Sequence, residues 1–527
     1  MMKHEQKFLE FFMNPKSYPY TPEYIQIRQT HISIVSVAPP CVFKVKKEIR
    51  LNFLDYSTPE KRYYYLNQEL ALNRRLCENI YIEVVPLYLS DHGLSFEPVG
   101  ELFDHALKMN FLNPETNLGY LLGENMFNEK HMGLLIDKLT SFYLNQKSSD
   151  LISSHGHPDR IIHKINDNLR ELSVFSGSFF SKPVLDATGH YSGLFFQKNI
   201  ALFQNRYEQG YIKDCHGDLR IEHVHIDNVS AQIYDCIEFN DEFRYIDIVE
   251  DFAFLAMELD YFAYHKKSLE FCSKILAKMN DLTGFRLLVF YKLYRALVRA
   301  KVNCILSLEA EIPEDKKKEA VVRAKKFSQL AMKYVLFNHE PFVIIIMGKT
   351  ASGKSTIASH ISADIGASVV STDRIRKSAA NIDIYEETPE DLKKGIYSPE
   401  FTKKVYKNQL DEAGKQLTEN RGVIMDGTFS RKIFREKICA HFAGSRIVFV
   451  ELIVSDSFAI ERLKQREFSR VVSDARLKDR WALDAMYEPA TEMPGAFFVT
   501  VQNEGLTDST IMEIYRKLTE INISGIK

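Results

Sequence analysis

The chain has 527 residues, 45% of them apolar and 26% charged, with a formal charge of −2. That length exceeds one ordinary core, so two domains are expected, and the near-neutral balance removes any whole-chain electrostatic argument for a nucleic-acid or membrane partner. The seven cysteines are scattered, odd in number and never spaced C-x-x-C, which indicates neither a zinc site nor a disulfide framework and fits a reducing cytosol. With no signal-peptide core and no long uncharged apolar run, a cytoplasmic protein without a membrane span is the expectation.

In chain order, residues 30–47 are β-branched with a Pro-Pro break and read as strand, turn, strand. From Thr58 to about Glu78 the spacing is helical, with Pro59 near the start and Leu66, Leu70, Leu72 and Leu76 available for an apolar stripe. Residues 100–205 read as mostly helical, a strand-rich passage follows from Tyr211 to Asp235, and apolar helices run to about residue 338. The pattern predicts a first domain over 1–338, with a small lobe over about 1–100 and a helical lobe over about 101–338. The charge run Glu309–Glu319 reads most simply as a solvated turn. From 339 to 527 short apolar runs (FVIIIM, ASVVSTD, GVIMDGT, RIVFVELIV, AFFVTV) alternate with helical patterns, which predicts a doubly wound parallel sheet covered on both faces.

Within the first domain, Lys44 and Lys46 share one face of a predicted strand, so either could reach a phosphate, and Glu69 in the following helix can pair with that lysine. The segment Cys215–His223 (CHGDLRIEH) precedes a hairpin that ends at Asp235. In a kinase centre one acid receives the proton of the substrate hydroxyl, a second beyond a hairpin binds Mg²⁺, and another ligand stands five positions after the first. Asp218, Asp235 and His223 occupy those places. Taken singly, a Gly-Asp turn, a surface lysine or a surface glutamate explains each residue as well; the combination points to a site.

In the second domain, Gly348-Lys349-Thr350-Ala351-Ser352-Gly353-Lys354-Ser355 matches G-x-x-x-x-G-K-[ST] between a strand and a helix that begins near Thr356. Its backbone N–H groups can cradle phosphates, Lys354 can reach the β and γ groups, and Ser355 can bind Mg²⁺. Gly348, Ser352, Gly353, Lys354, Ser355 and Thr356 are the candidate nucleotide residues. Asp373, in STDRIRK after the second strand, can accept a hydroxyl proton or merely cap a helix, with Arg376 or Lys377 to hold an anion. Asp426, ending the third strand, is a Walker-B-like metal acid or a turn acid. The basic segment from Glu461 to Arg480 is a solvated helix face or a closing lid.

On GKTASGKS, STDRIRK, GVIMDGTF and ERLKQREFSRVVSDA, residues 341–527 resemble the zeta-toxin and gluconate-kinase-like group of P-loop kinases. That resemblance implies Asp373 as catalytic base and Arg462, Arg466 and Arg470 as lid arginines. On HGDLRIEHV and IYDCIEFND, residues 1 to about 338 resemble the aminoglycoside-phosphotransferase-like branch of the protein-kinase-like fold. The whole resembles bacterial proteins that join the two. The fold class implied is an α+β bilobal kinase-like domain followed by an α/β P-loop domain, using ATP and Mg²⁺. Two departures stand out: His223 replaces the asparagine expected at the metal, and no G-x-G-x-x-G loop lies near residues 28–40. The expected function is phosphoryl transfer to a hydroxyl of a small, sugar-like or nucleotide-sugar acceptor. A nucleotide-switched regulatory protein and a polynucleotide 5′-kinase are the alternatives, the latter disfavoured by the charge balance. Oligomeric state is open.

Overall fold

The computed structural model describes residues 2–51, 54–310, 312–386, 388, 390–466, 472–490 and 497–525. Arg470 lies outside these, as does the side chain of Arg466. The chain forms two compact units, residues 1–161 with 199–292, and residues 162–198 with 293–527. Among the described residues no helix is long and apolar enough to cross a membrane.

The first unit opens with helix α1 (Met2–Met13), followed by strands β1 (Gln26–Gln29), β2 (Ser33–Ala38) and β3 (Cys41–Lys46), helix α2 (Pro59–Asn73), and strands β4 (Tyr81–Ser90), β5 (Gly93–Ser95) and β6 (Glu101–Asn110). The six strands make one antiparallel sheet in the order β1-β2-β3-β6-β4-β5. Period-two alternation sorts its side chains. Cys41, Phe43 and Val45 of β3 pack into a core with Phe8, Phe11 and Phe12 of α1, while Val42 packs on the other face with Leu66 of α2 and Leu107. Lys44 and Lys46 share that second face, so both reach α2. The helix starts where the sequence signals it: the Thr58 side chain accepts from the Lys61 N–H, and Pro59, whose missing N–H costs nothing there, opens the first turn.

Strand β6 corrects the helical reading of the span from residue 100. Asp104, Ala106, Leu107 and Met109 are buried there, and the strand lies between β3 and β4. Pairing on both sides overrides local periodicity. From Glu129 onward the helices appear as expected, at Glu129–Asn145, Pro158–Ser173 and Lys182–Glu208. A pair of short strands, β7 (Ile212–Asp214) and β10 (Tyr245–Asp247), brackets the hairpin of β8 (Val224–Ile226) and β9 (Ala231–Ile233). Helix α3 (Ile248–Tyr261) follows, buried along nearly its whole length.

The second unit contains a five-stranded, all-parallel sheet. Its strands are β11 (Phe342–Met347), β12 (Ser368–Ser371), β13 (Gly422–Asp426), β14 (Arg446–Ile453) and β15 (Phe497–Gln502), in the order β12-β13-β11-β14-β15. Every residue of β11 is buried, as a central strand covered on both faces requires. The covering helices include α4 (Lys354–Ile365), α5 (Thr372–Ala379), α6 (Pro399–Asn420), α7 (Asp456–Arg466), the short α8 (Arg480–Asp484) and α9 (Thr507–Ser524). Because the strands are parallel, the carboxyl ends of β11, β12 and β13 open at one edge, which is where such sheets bind ligands.

Candidate functional site

In the first unit, alternation on β3 and the helix spacing of α2 bring Lys44, Lys46 and Glu69 together, and Asp235 and Glu238 extend the line of charges to five. Glu69, fully buried, accepts from Lys44 at 2.7 Å on one oxygen and from Lys46 at 2.9 Å on the other. Lys44 also reaches Asp235 Oδ1 at 3.1 Å. Lys46 instead turns inward to Glu238, which also accepts the Tyr56 hydroxyl at 2.7 Å. The two lysines, equivalent in the sequence, are thereby told apart. The Lys44 side chain keeps 14% exposure beside Asp235, whereas that of Lys46 has none. Only Lys44 stands where a phosphate could meet it. Its buried surroundings push the ammonium down, but Asp235 and Glu69 outweigh them and hold it above its ordinary range. The same surroundings push the Asp235 carboxyl up, and Lys44 holds it below the usual carboxylate range.

The loop carrying Asp218 is fixed from beneath. Asp251 of α3 accepts the N–H groups of His216 at 3.2 Å and Gly217 at 2.8 Å, together with the Tyr143 hydroxyl at 2.8 Å. Gly217 has φ +86°, and a Cβ there would meet the Phe243 carbonyl oxygen at 2.7 Å, so the turn requires glycine. His216 donates from Nε2 to the Tyr234 carbonyl at 2.9 Å and accepts the Asp218 N–H on Nδ1 at 3.3 Å, tying the two acid-bearing segments together. Glu258 accepts the Ile221 N–H at 2.8 Å. Between the acids lies His223, with Nδ1 at 2.9 Å from the Asp218 carbonyl oxygen and Nε2 at 3.5 Å from Asp235 Oδ2. The structure thus gathers Lys44, Glu69, Asp218, His223 and Asp235 into one cluster.

In the second unit the phosphate loop needs its glycines. Gly348 has φ +142° and a Cβ there would meet the Leu452 carbonyl oxygen at 2.5 Å; Gly353 has φ +89° and a Cβ would meet Asn503 Nδ2 at 2.4 Å. Asn503 donates to the Ser352 carbonyl at 2.7 Å, bracing the loop from the end of β15. Arg462 braces it too, donating to the carbonyls of Ala351 at 3.3 Å and Asn503 at 3.0 Å. The Lys354 ammonium folds onto the Lys349 carbonyl at 2.8 Å, and Thr356 is exposed in the next turn. Ser355 donates to Asp426 Oδ2 at 2.8 Å. Burial pushes the Asp426 carboxyl above its ordinary value, with the Ser355 hydroxyl partly offsetting it. A hydroxyl and a carboxylate oxygen side by side make a hard donor pair that fits Mg²⁺.

Register places Asp373 at this edge, since Ser371 pairs with Asp426 and Asp373 follows in the first turn of α5. The neighbouring cations are placed otherwise than the sequence suggests. Arg376 donates to the Ile396 carbonyl at 2.6 Å and stacks on Tyr397, while Lys377 holds the Glu386 carbonyl at 2.7 Å and Asp474 at 3.2 Å. Both are buried and spent inside the unit, so neither stands ready for an anion. Sequence reasoning gave no role to Glu238, Tyr56, Asp251, Asn503 or Asp484. Glu238 lies within IYDCIEFND, three residues after Asp235, and carried a signal; the others are paired only by the fold. Asp484 accepts the Thr350 N–H of the phosphate loop at 3.2 Å and is held by Arg480 at 3.3 Å.

Residues 343–489 match the family described as AAA domain. An uncharacterized protein of Mycobacterium tuberculosis is 28% identical over 414 residues, spanning 78% of this chain and 80% of its own length. Among solved structures, a gluconokinase from Sinorhizobium meliloti 1021 has 20% identity and a TM-score of 0.25, covering 34% of this chain and 94% of its own. The GDP complex of aminoglycoside 2′-phosphotransferase-IIIa has 13% identity and a TM-score of 0.38, covering 61% of this chain and 98% of its own. The P-loop of the second unit, on the parallel five-stranded sheet, lies within the residues that match the AAA domain family.

Proposed function

We propose that the chain is an ATP-dependent phosphotransferase acting on a hydroxyl of a small acceptor, sugar-like or nucleotide-sugar in character. The observation that carries this reading is the Ser355–Asp426 contact at 2.8 Å, beneath a loop of G-x-x-x-x-G-K-S form and beside Asp373. A mechanical ATPase needs the first two features; an acid set to face an acceptor is what a kinase adds.

In this reading the loop N–H groups and Lys354 bind the phosphates, and Ser355 with Asp426 would hold Mg²⁺, which would supply neutralisation of the phosphate charge. Asp373 takes the proton of the acceptor hydroxyl as its oxygen bonds to the γ-phosphorus. The bond from that phosphorus to the bridging oxygen breaks, and ADP leaves with the electron pair. Arg462 keeps the loop in shape through the two carbonyls it holds, a positioning role. The first unit is a second centre in the same reading, with Asp218 as base and Lys44 on the phosphates. Lys46 and Glu238 form the buried support of Glu69 there.

The test is Asp373→Asn measured for acceptor-dependent ADP formation. The asparagine keeps size and polarity but cannot take a proton, so kcat falls by roughly 10²-fold or more with little change in KM for ATP. An unchanged kcat refutes the assignment.

A further inference from the structure

A kinase-like centre covers the nucleotide phosphates with a glycine-rich hairpin. The corresponding hairpin here, between β1 and β2, contains no glycine, and it spends the N–H groups of Thr30, Ile32 and Ser33 within itself. Thr30 Oγ1 accepts the Ile32 N–H at 3.3 Å and the Ser33 N–H at 3.0 Å, while the Thr30 N–H donates to the Ser33 carbonyl at 2.9 Å. A cation stands beside this hairpin instead. Arg28 on β1 pairs with Val35 on β2, and Val35 pairs with Lys44 on β3. Directly opposed residues of antiparallel strands share a face, so Arg28 and Lys44 lie on one face, two strand spacings or about 10 Å apart. Ile27, one residue earlier, packs on the opposite face against the core that contains α1.

The Arg28 guanidinium is held in place without being neutralised. It donates to Gln26 Oε1 from Nε at 3.2 Å and from Nη2 at 3.0 Å, and among the described residues it meets no carboxylate. An amide oxygen carries no charge, so the cation keeps its own. Lys44, by contrast, is committed to Glu69 and Asp235. Burial and Asp235 push the Tyr234 phenol up to about 12, and Arg28 leads the cations that oppose the rise, ahead of Lys44. Tyr234 immediately precedes Asp235, so the field of Arg28 reaches the segment that carries this acid. A polyphosphate placed beside Asp218 and Asp235 is repelled by both carboxylates, and a cation with no acid partner relieves that repulsion. We propose that Arg28 is a phosphate-binding residue of a nucleotide site in the first unit, supplying from a side chain what a glycine-rich hairpin supplies from its backbone. The proposal rests on reading the first unit as a kinase-like nucleotide centre.

The test is isothermal titration of the full-length Lys354→Ala protein, whose phosphate-loop site is weakened, with ATP and MgCl₂ and separately with adenosine. Each titration is repeated with Arg28→Gln added. The expected result is ATP binding to Lys354→Ala that Arg28→Gln weakens roughly tenfold, with adenosine binding changed less than about twofold. Arg28→Lys keeps the charge without the planar fork and should restore most of the lost affinity. An equal loss for ATP and adenosine would mean that Arg28 only shapes the hairpin, and it overturns the proposal. ATP affinity that ignores Arg28→Gln overturns it too, as does the absence of any ATP binding in Lys354→Ala. Acceptor-dependent ADP formation is assayed in parallel on wild type and Arg28→Gln. If that activity is present while ATP binding ignores Arg28, only this inference fails. If ATP binding follows Arg28 and no acceptor yields ADP, the inference stands and the phosphotransferase reading fails.

Discussion

Glu69→Gln isolates the charge line of the first unit. The carboxylate has no exposure and accepts one hydrogen bond from each lysine, at 2.7 and 2.9 Å. Hydrogen bonds to charged groups contribute about 1.5–3 kcal/mol each, and breaking a buried ion pair from one side costs about 3–5 kcal/mol. An amide cannot serve two ammonium groups, so both estimates point to a loss of about 3–5 kcal/mol. Lys44 keeps Asp235 and Lys46 keeps Glu238, which sets the expectation at the lower end. Hydrogen exchange read by peptide gives the cost locally. At about 1.4 kcal/mol per tenfold, the slowest amides of Cys41–Lys46 and Glu101–Asn110 should exchange roughly a hundredfold faster, while those of Phe342–Met347 stay unchanged. An acceleration under about threefold in the first unit would mean that Glu69 does not hold the lysines, and the reasoning fails.

Lys44→Met and Lys46→Met should separate: the first lowers nucleotide affinity of the first unit with a small stability cost, and the second, leaving Glu238 buried without its ammonium, costs about 3 kcal/mol. Isothermal titration and thermal melts of both variants distinguish the roles. Asp474 accepts the Thr388 hydroxyl and pairs with Lys377; burial pushes its carboxyl up, and those two partners hold it below its ordinary value. Its folded value is depressed, so its contribution is fully present above about pH 4 and is lost as the pH falls through the folded value. Proteolysis within 380–398 should therefore quicken below pH 4, and Asp474→Asn should show that susceptibility already at pH 7. Asp484 places a carboxylate on the Thr350 N–H, where it competes with phosphate charge. Asp484→Asn should tighten Mg·ATP binding by roughly threefold to tenfold. Trp481, the sole tryptophan, is 61% exposed three residues earlier and reports it by fluorescence; weaker binding would refute the competition.

The sequence carried most of the second unit because its signals are local. The loop motif, the apolar strands, the acid just after β12 and the acid that ends β13 are each contiguous, and the sheet order brings them to one edge without further information. Arg376 and Lys377 misled for the opposite reason. Adjacent basic residues after a strand look available, and only packing against Tyr397 and Asp474 shows them consumed. In the first unit the motif named Asp218, His223 and Asp235, but spacing could not choose between Lys44 and Lys46. That choice is made by Glu238 and Tyr56, contributed by separate segments of the chain. Strand β6 has helical spacing in the sequence, and its neighbours β3 and β4, which decide it, come from elsewhere in the chain.

The most direct measurement is ADP release from ATP and Mg²⁺ across a panel of sugars, sugar acids, nucleotide sugars and aminoglycosides, with wild type, Lys354→Ala and Asp218→Asn side by side. The account predicts release that depends on an added acceptor, one part of it lost in Lys354→Ala and the other in Asp218→Asn. Release that proceeds equally without any acceptor would contradict it and make the nucleotide sites a switch rather than a kinase.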